Sequence, residues 1–352
     1  LMAAQVVEMQ LNNPHEHAQW QQFLTSLGIT NFSPQEVEHI DVTLGLIEDG
    51  QLVGTGSLAG NVLKYVGVCN KNSQPGARFN QIVSALVNRL FQAQIFHMMV
   101  FTKAKYSASF QHVGFKELAH SDEAAVLENG APDMTDFVKQ LPMIPNQAQQ
   151  RVSAIVMNAN PFTRGHRYLV EQAAAVSDLV YVFVVATDAS LFRTAERVKL
   201  VQQGTADLAN VRIVSGQDYL VSAATFPAYF LDSAASAIEA QTTLDARIFK
   251  QQLAPALHIT TRFVGSEPTS RTTAIYNRVL QRELPPAVAV RVISRTTVAN
   301  QPISARTVRQ RIQSGNLTEL NQLVPATTAQ FIKNNLTTLQ ARIQKGMKID
   351  GN

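Results

Sequence analysis

At 352 residues with 45% apolar content, the chain can form two or three domains and has enough hydrophobic side chains to fill their cores. Charged residues make up 16%, and the net charge of +4 comes without a dense Lys/Arg run, which fits affinity for small polyanions at least as well as for nucleic acid. The single cysteine, Cys69, excludes an intramolecular disulfide and a cysteine metal cluster, and no apolar run of about 18 residues offers a membrane span.

The opening "LMAAQVVEMQ" lacks the charged start and long apolar stretch of a signal peptide, so a cytoplasmic location is the expectation. A helix is predicted over "HEHAQWQQFLTSLGI", where Trp20, Phe23, Leu24 and Leu27 recur at helical spacing. "VTLGLIEDGQLVGTGSL" reads as a hairpin turning at Asp49-Gly50. A third strand follows in "VLKYVGV", with Cys69 just after it as a buried structural thiol rather than a nucleophile. Then come a helix over "NQIVSALVNRLFQAQ", a strand in "FHMMVFTK", a short helix in "SASFQHV" and a strand opening at "GFKEL". The two prolines and polar tail of "LPMIPNQAQQ" mark a linker, with the boundary at Asn146 and domains over 1–146 and 147–352.

Beyond it the text alternates. Near-continuous apolar strands at "VSAIVMN", "LVYVFVVA", "VRIVS", "TRFVGS" and "AVRVIS" are separated by helical patterns such as "HRYLVEQAAAVS" and "RTTAIYNRVLQREL". Five such strands with intervening helices predict a parallel, doubly wound α/β sheet, following an α+β first domain. Ligands bind such sheets beyond the carboxyl ends of the strands, where strand order reverses.

The first strand of that sheet runs into "NANPFTRGHRYLV". Pro161 keeps the loop out of the sheet. Gly165 removes a side chain where an anion can approach the backbone, and the helix opening near His166 offers unpaired N–H groups and a partial positive charge. His166 and Thr163 add an imidazole nitrogen and a hydroxyl, completing an anion site. After the fifth strand, "ISARTVR" starts a second helix with Ser304 as its N-cap. Around it the chain carries Arg291, Arg295, Arg306, Arg309 and Arg311 without a carboxylate from Leu284 to Thr318. A cation-rich helix start facing the first one makes a two-sided phosphate clamp.

"NPFTRGH" resembles the (His/Thr)-x-Gly-His motif of the nucleotidyltransferase superfamily, and "ISARTVR" its Ile-Ser-x-x-x-Val-Arg segment. "VVATDASLFRTAERVKLVQQGTADL", "ATFPAYFL" and "FVGSEPTSRTTAIYN" are similar to one group within it, the [citrate (pro-3S)-lyase] ligase family. Asp188, Ser190 and Arg197 match that family's segment after the second strand, and Gly265, Glu267 and Pro268 the segment after the fourth. The resemblance implies adenylation of acetate by ATP with release of pyrophosphate. The acetyl group then passes to the thiol of the phosphoribosyl-dephospho-CoA arm on the citrate lyase acyl-carrier subunit. It implies catalytic roles for Thr163 and His166 and ATP contacts from Asn158, Asn160, Gly165, Arg197, Gly265, Ser304 and Arg309. Magnesium is implied on the phosphate oxygens rather than in a protein cage, with Asp188 as the one candidate ligand, and neither nucleic acid nor membrane as partner.

In the first half, "FHMMVFTKAKYSASFQHVGFKEL" resembles the acetyltransferase (GNAT) fold placed before the ligase domain in this family. Where acetyltransferases cradle coenzyme A with a glycine-rich loop, this chain has "SQPGARFN", in which Pro75 removes an amide donor and Arg78 stands where a glycine would let the backbone approach. That implies a domain that docks the carrier rather than one with its own acetyl-CoA activity. Two other readings stay open: a nucleotidyltransferase that adenylates a phosphorylated small molecule, and a non-catalytic nucleotide-binding scaffold.

Overall fold

The computed structural model describes residues 4–187, 189–220, 226–266 and 270–350. The chain divides into two compact units, residues 1–139 with 226–240, and residues 140–225 with 241–352. Among the described residues, no helix is long and apolar enough to cross a membrane.

The first unit is α+β. Its strands are β1 (Gln5–Met9), β2 (Val42–Glu48), β3 (Gln51–Ala59), β4 (Val62–Val68), β5 (His97–Lys103), β6 (Lys116–His120) and β7 (Ala124–Gly130). They form one sheet in the order β1-β2-β3-β4-β5-β7-β6. Asp49 and Gly50 both take positive φ, 48° and 77°, the backbone that lets a two-residue turn match the twist of the strands it joins. Helix α1 (Pro14–Ser26) is capped by Asn13, whose side chain accepts from the N–H of His15, and Trp20 and Leu24 are its buried residues. Helix α2 (Ala77–Gln92) lays Ile82, Val83, Leu86 and Leu90 into a core shared with Leu46, Leu63, Val100 and Leu127. α3 (Ser107–His112) adds Phe110.

β1, β7 and the helix Met134–Lys139 have no counterpart in the sequence reading. "QVVEM" and "AAVLENG" are short and lack alternation, so pairing with β2 and β5 gives them strand form. Cys69 is half-buried. Arg78 turns inward, donating through Nε to Glu48 Oε1 at 3.0 Å and through Nη1 to the carbonyl of Lys71 at 3.0 Å, and so closes the loop before α2.

β4 and β5 are the parallel pair of this sheet and meet only at Val62–Met99 and Leu63–Val100 before separating. Residues from far along the chain pack beyond that point. The Tyr229 ring lies 4.7 Å from Tyr65 of β4, and its hydroxyl donates to the Phe101 carbonyl of β5 at 2.8 Å. The backbone of Ala228 is held at both ends, its N–H by Glu36 Oε1 at 2.9 Å and its carbonyl by Asn31 Nδ2 at 3.1 Å. The other Glu36 oxygen accepts from Lys64 Nζ at 2.6 Å, a buried ion pair. "ATFPAYFL", read with the second half, thus contributes Phe226–Leu231 to the first unit.

The second unit carries the predicted parallel sheet. β8 (Val152–Met157), β9 (Leu179–Val184), β10 (Val211–Ser215), β11 (Ile259–Gly265) and β12 (Ala289–Ile293) lie in the order β10-β9-β8-β11-β12, every neighbouring pair parallel. Strand order reverses between β8 and β11, so the loops leaving Met157 and Gly265 flank the expected ligand crevice. The helices are α4 (Arg164–Val176), α5 (Thr194–Gly204), α6 (Ala234–Ile248, which belongs to this unit from Gln241 and is continued by a π-turn over Phe249–Leu253), α7 (Arg271–Glu283), α8 (Ala305–Ser314), α9 (Ala326–Asn334) and α10 (Leu336–Gln344). Successive strand residues face opposite ways. Phe263 accordingly joins Val170, Leu200 and Val308 in one core, while Arg262 beside it lies over Phe249 and Tyr276, so helices cover both faces.

The segment expected as a linker is packed. Gln147 is buried and donates to Tyr181 Oη at 3.0 Å and to the Leu257 carbonyl at 2.7 Å. α9 and α10, absent from the sequence reading, bring Ile332 and Leu339 into the core of the second unit.

Candidate active site

The helix expected from His166 begins at Arg164, with Thr163 as its N-cap. Thr163 Oγ1 accepts from the His166 N–H at 3.3 Å, and His166 Nδ1 lies 3.0 Å from the Thr163 N–H and 2.9 Å from its hydroxyl. A backbone N–H can only donate, so Nδ1 is the acceptor and Nε2 carries the hydrogen. The ring stacks on Phe162, centroids 5.9 Å apart and planes 15° apart. Burial, then the nearby charges of Arg295 and Arg309, push the imidazole pKa down from 6.5 to about 4. At neutral pH His166 is therefore an uncharged N–H donor with a fixed tautomer, in the first turn of a helix whose dipole favours anions.

Both predicted helix starts meet here. A Cβ on Gly165 would lie 3.6 Å from both the Cβ and the carbonyl oxygen of Ile303, the residue before Ser304. Ser304 caps α8, its Oγ accepting from the Arg306 N–H at 3.2 Å. Arg309, one turn into α8, is 2% exposed and donates to the carbonyls of Asn160 at 2.6 Å and Ile349 at 2.8 Å. Desolvation draws its pKa down to about 10, which still leaves it cationic at neutral pH. Arg306 is exposed and pairs with Asp350 at 2.8 Å.

Other predicted residues turn inward. Arg197 is fully buried and spends its five N–H groups on the loops, donating to the carbonyls of Phe192, Asn158, Val185 and Thr187 and to Thr194 Oγ1 at 2.6–3.0 Å. It holds the ends of β8 and β9 together, and its donors serve the backbone here rather than the crevice. Asn160 is buried and accepts from the Phe192 N–H at 3.0 Å through Oδ1. Asn158 stays at the rim, its side chain 3.3 Å from Ser190 Oγ. Ala159 between them takes φ 51°, a left-handed backbone that reverses the loop toward α4. The Gly265 carbonyl accepts from Asn277 Nδ2 at 2.9 Å. Asp188, Glu267 and Pro268 lie outside the described residues. Among the described residues, no group of three or more His, Cys, Asp or Glu side chains comes together to hold a metal ion.

In the sequence Arg295 stands out only as part of a basic stretch, and Ser266 and Thr296 do not stand out as site residues. Arg295 donates through Nε to the Ser266 carbonyl at 2.8 Å, and its N–H donates to Ser266 Oγ at 3.2 Å. Spacing along the chain carries no trace of this, because the contact joins the ends of two neighbouring strands.

A family model described as "Citrate lyase ligase C-terminal domain" matches residues 152–332. The [citrate [pro-3S]-lyase] ligase of Escherichia coli K12 is 36% identical over 302 residues, spanning 84% of this chain and 85% of that one. The [citrate [pro-3S]-lyase] ligase of Haemophilus influenzae is 37% identical over 308 residues, 85% of this chain and 90% of that one. The phosphopantetheine adenylyltransferase of Streptomyces coelicolor matches only 18% of this chain, at 38% identity over 64 residues. Solved structures with partial likeness include an acyl-CoA N-acyltransferase from Pseudomonas aeruginosa, 13% identical over 36% of this chain and 100% of that one, with a TM-score of 0.31. An acetyltransferase from Streptococcus agalactiae is also 13% identical, over 37% and 99%, with a TM-score of 0.32. With two helix starts meeting at the switch point and a likeness to the ligases that spans both units, the chain belongs to the [citrate [pro-3S]-lyase] ligase family.

Proposed function

We propose that the chain activates citrate lyase by ATP-dependent acetylation of the thiol arm on its acyl-carrier subunit, through acetyl-AMP. A carboxylate oxygen of acetate attacks the α-phosphorus, the bond to the bridging oxygen breaks, and pyrophosphate departs. The carrier thiol then attacks the acetyl carbon, AMP leaves, and the thiol proton passes to solvent. Acetate is already ionised at neutral pH, so the first step needs no general base. Catalysis reduces to alignment and to stabilising charge that builds on phosphate oxygens.

The observation that carries this reading is the approach of Gly165 to Ile303, so close that a Cβ on the glycine would stand 3.6 Å from Ile303, which brings the starts of α4 and α8 together. Thr163 and His166 act on the phosphates, with His166 donating Nε2–H as a neutral group. Gly165 leaves the backbone open to the nucleotide, Ser304 and Arg309 close the other side, and Asn158 and Gly265 line the rim. Asn160 and Arg197 shape the loops that the nucleotide rests on. Magnesium would arrive with ATP. Phosphate oxygens and water would hold that ion, with few protein ligands. Residues 147–352 carry this chemistry in the cytoplasm, and residues 1–146 dock the carrier.

A different adenylyl acceptor is not favoured, because the adenylyltransferase likeness covers 18% of the chain against 84% for a ligase. Incubation with ATP, magnesium and acetate, followed by mass analysis, should yield acetyl-AMP and pyrophosphate. His166→Ala should slow acetate-dependent pyrophosphate exchange about 100-fold by removing a preorganised donor. Exchange that needs a phosphorylated acceptor instead of acetate would refute the reading, and an unchanged rate in His166→Ala would favour a scaffold.

A further inference from the structure

We propose that Arg295, with the hydroxyl of Thr296 beside it, forms a third wall of the nucleotide site and binds the β- and γ-phosphates that leave as pyrophosphate. This rests on the reading of the loops at Thr163–His166 and Ser304 as the ATP site.

The first support is position. The Ser266 N–H donates to the Ile293 carbonyl at 2.8 Å, and Arg295 returns two hydrogen bonds to Ser266, so the loops after β11 and β12 are laced together. That pins the Arg295 side chain across the carboxyl end of β11, its Nε 4.0 Å from where a Cβ on Gly265 would stand. β11 flanks the switch point. Next to Arg295, the Thr296 carbonyl accepts from the Ile303 N–H at 3.2 Å, and Ile303 packs on Gly165. Two consecutive residues therefore bridge the end of β11 to the first turn of α4.

Charge and hydrogen bonding agree with that placement. Arg295 and Arg309 are the two cations whose charge bears on His166. Arg309 is buried against backbone carbonyls, whereas Arg295 is half-exposed at the end of β12. Thr296 Oγ1 is buried and has no hydrogen-bond partner among the described residues. A buried hydroxyl left unpaired is costly, and such a group in a native site points to a ligand or water that completes it. A guanidinium matches two phosphate oxygens at once, which an ammonium cannot do. Most of the charge of ATP lies on the β- and γ-phosphates and increases there as pyrophosphate leaves, so that is where a fixed cation lowers the barrier.

The test titrates the full-length wild type, Arg295→Gln, Arg295→Lys, Thr296→Val and His166→Ala with ATP, pyrophosphate and AMP by calorimetry, with thermal melts to establish folding. Arg295→Gln should weaken ATP and pyrophosphate about 10- to 100-fold while AMP stays within about twofold, the expected loss of a bidentate charged contact. Arg295→Lys should recover only part of that, and Thr296→Val should weaken pyrophosphate by about threefold to tenfold, as for one neutral hydrogen bond. Unchanged ATP and pyrophosphate affinity in Arg295→Gln, alongside weakened binding in His166→Ala, overturns this proposal alone. An equal loss of AMP affinity overturns the assignment to the leaving phosphates. Wild-type protein that binds neither ATP nor pyrophosphate sinks the underlying reading of the site and this proposal with it.

Discussion

His166 shows how one backbone bond sets the chemistry of a side chain. Because the Thr163 N–H donates to Nδ1, the proton must sit on Nε2, and burial beside Arg295 and Arg309 keeps the ring neutral. The depressed pKa has a definite sign in stability. Between pH 6.5 and about 4 the unfolded chain takes up a proton that the folded chain refuses, so the contribution is complete above pH 6.5 and declines as pH falls through about 4. An imidazole NMR titration of the free protein should give a midpoint near 4. Added ATP should move it upward, because a polyanion beside the ring favours the charged form. A midpoint that stays near 6.5 without ligand would contradict the half-buried, cation-flanked setting. Thr163, Gly165, His166 and Ser304 were legible because capping is local, written within three or four residues. Arg197 was legible as a motif residue but not in its role. Its partners at Asn158, Val185 and Thr187 lie 10 to 39 positions away and meet it only through the sheet.

Among the elements, α5 sets the tolerance of the site. Gly204 ends that helix, and a Cβ there would come within 2.5 Å of Phe162 Cε1, far inside contact distance. Phe162 is fully buried and carries the His166 ring on its face, so it cannot give way without moving the imidazole. Gly204→Ala should cost about 1–3 kcal/mol by overpacking, seen as a shifted denaturation midpoint, and should slow pyrophosphate exchange although residue 204 touches no substrate. Full stability with full activity would show that the helix end moves aside freely. The five strands of the second unit stood out because both faces of a parallel sheet are covered, which makes each strand a continuous apolar run. β1 and β7 gave no such signal, since short strands of mixed polarity owe their form to the neighbours they pair with.

Across the whole molecule, the chain crosses between its units after Lys139, after Thr225 and after Ala240. The first unit is complete only with residues 226–240, whose Ala228 is held by Glu36 and Asn31. Deleting residues 1–146 to test carrier docking would therefore also strip Phe226 and Tyr229 of their buried partners Phe101 and Tyr65. Glu36→Ala should be the sharper probe of this junction. It leaves the Lys64 charge buried without its carboxylate and the Ala228 N–H without an acceptor, at about 3–5 kcal/mol in a denaturant melt. Joint replacement of Glu36 and Lys64 by apolar residues of similar size should cost much less. Equal losses in the two variants would remove the ion pair as the cause.

By itself the sequence determined the alternation of strands and helices in the second half, the hairpin at Asp49-Gly50 and the two helix starts at Thr163 and Ser304. Each of these is encoded by periodicity, turn residues or caps within a few positions. Only the tertiary structure decided that Phe226–Leu231 belongs with the first unit, that Arg197 and Asn160 face inward, and that Arg295 reaches the end of β11. Those outcomes depend on which distant segments pair and pack, and pairing across a sheet leaves no spacing in the chain to read.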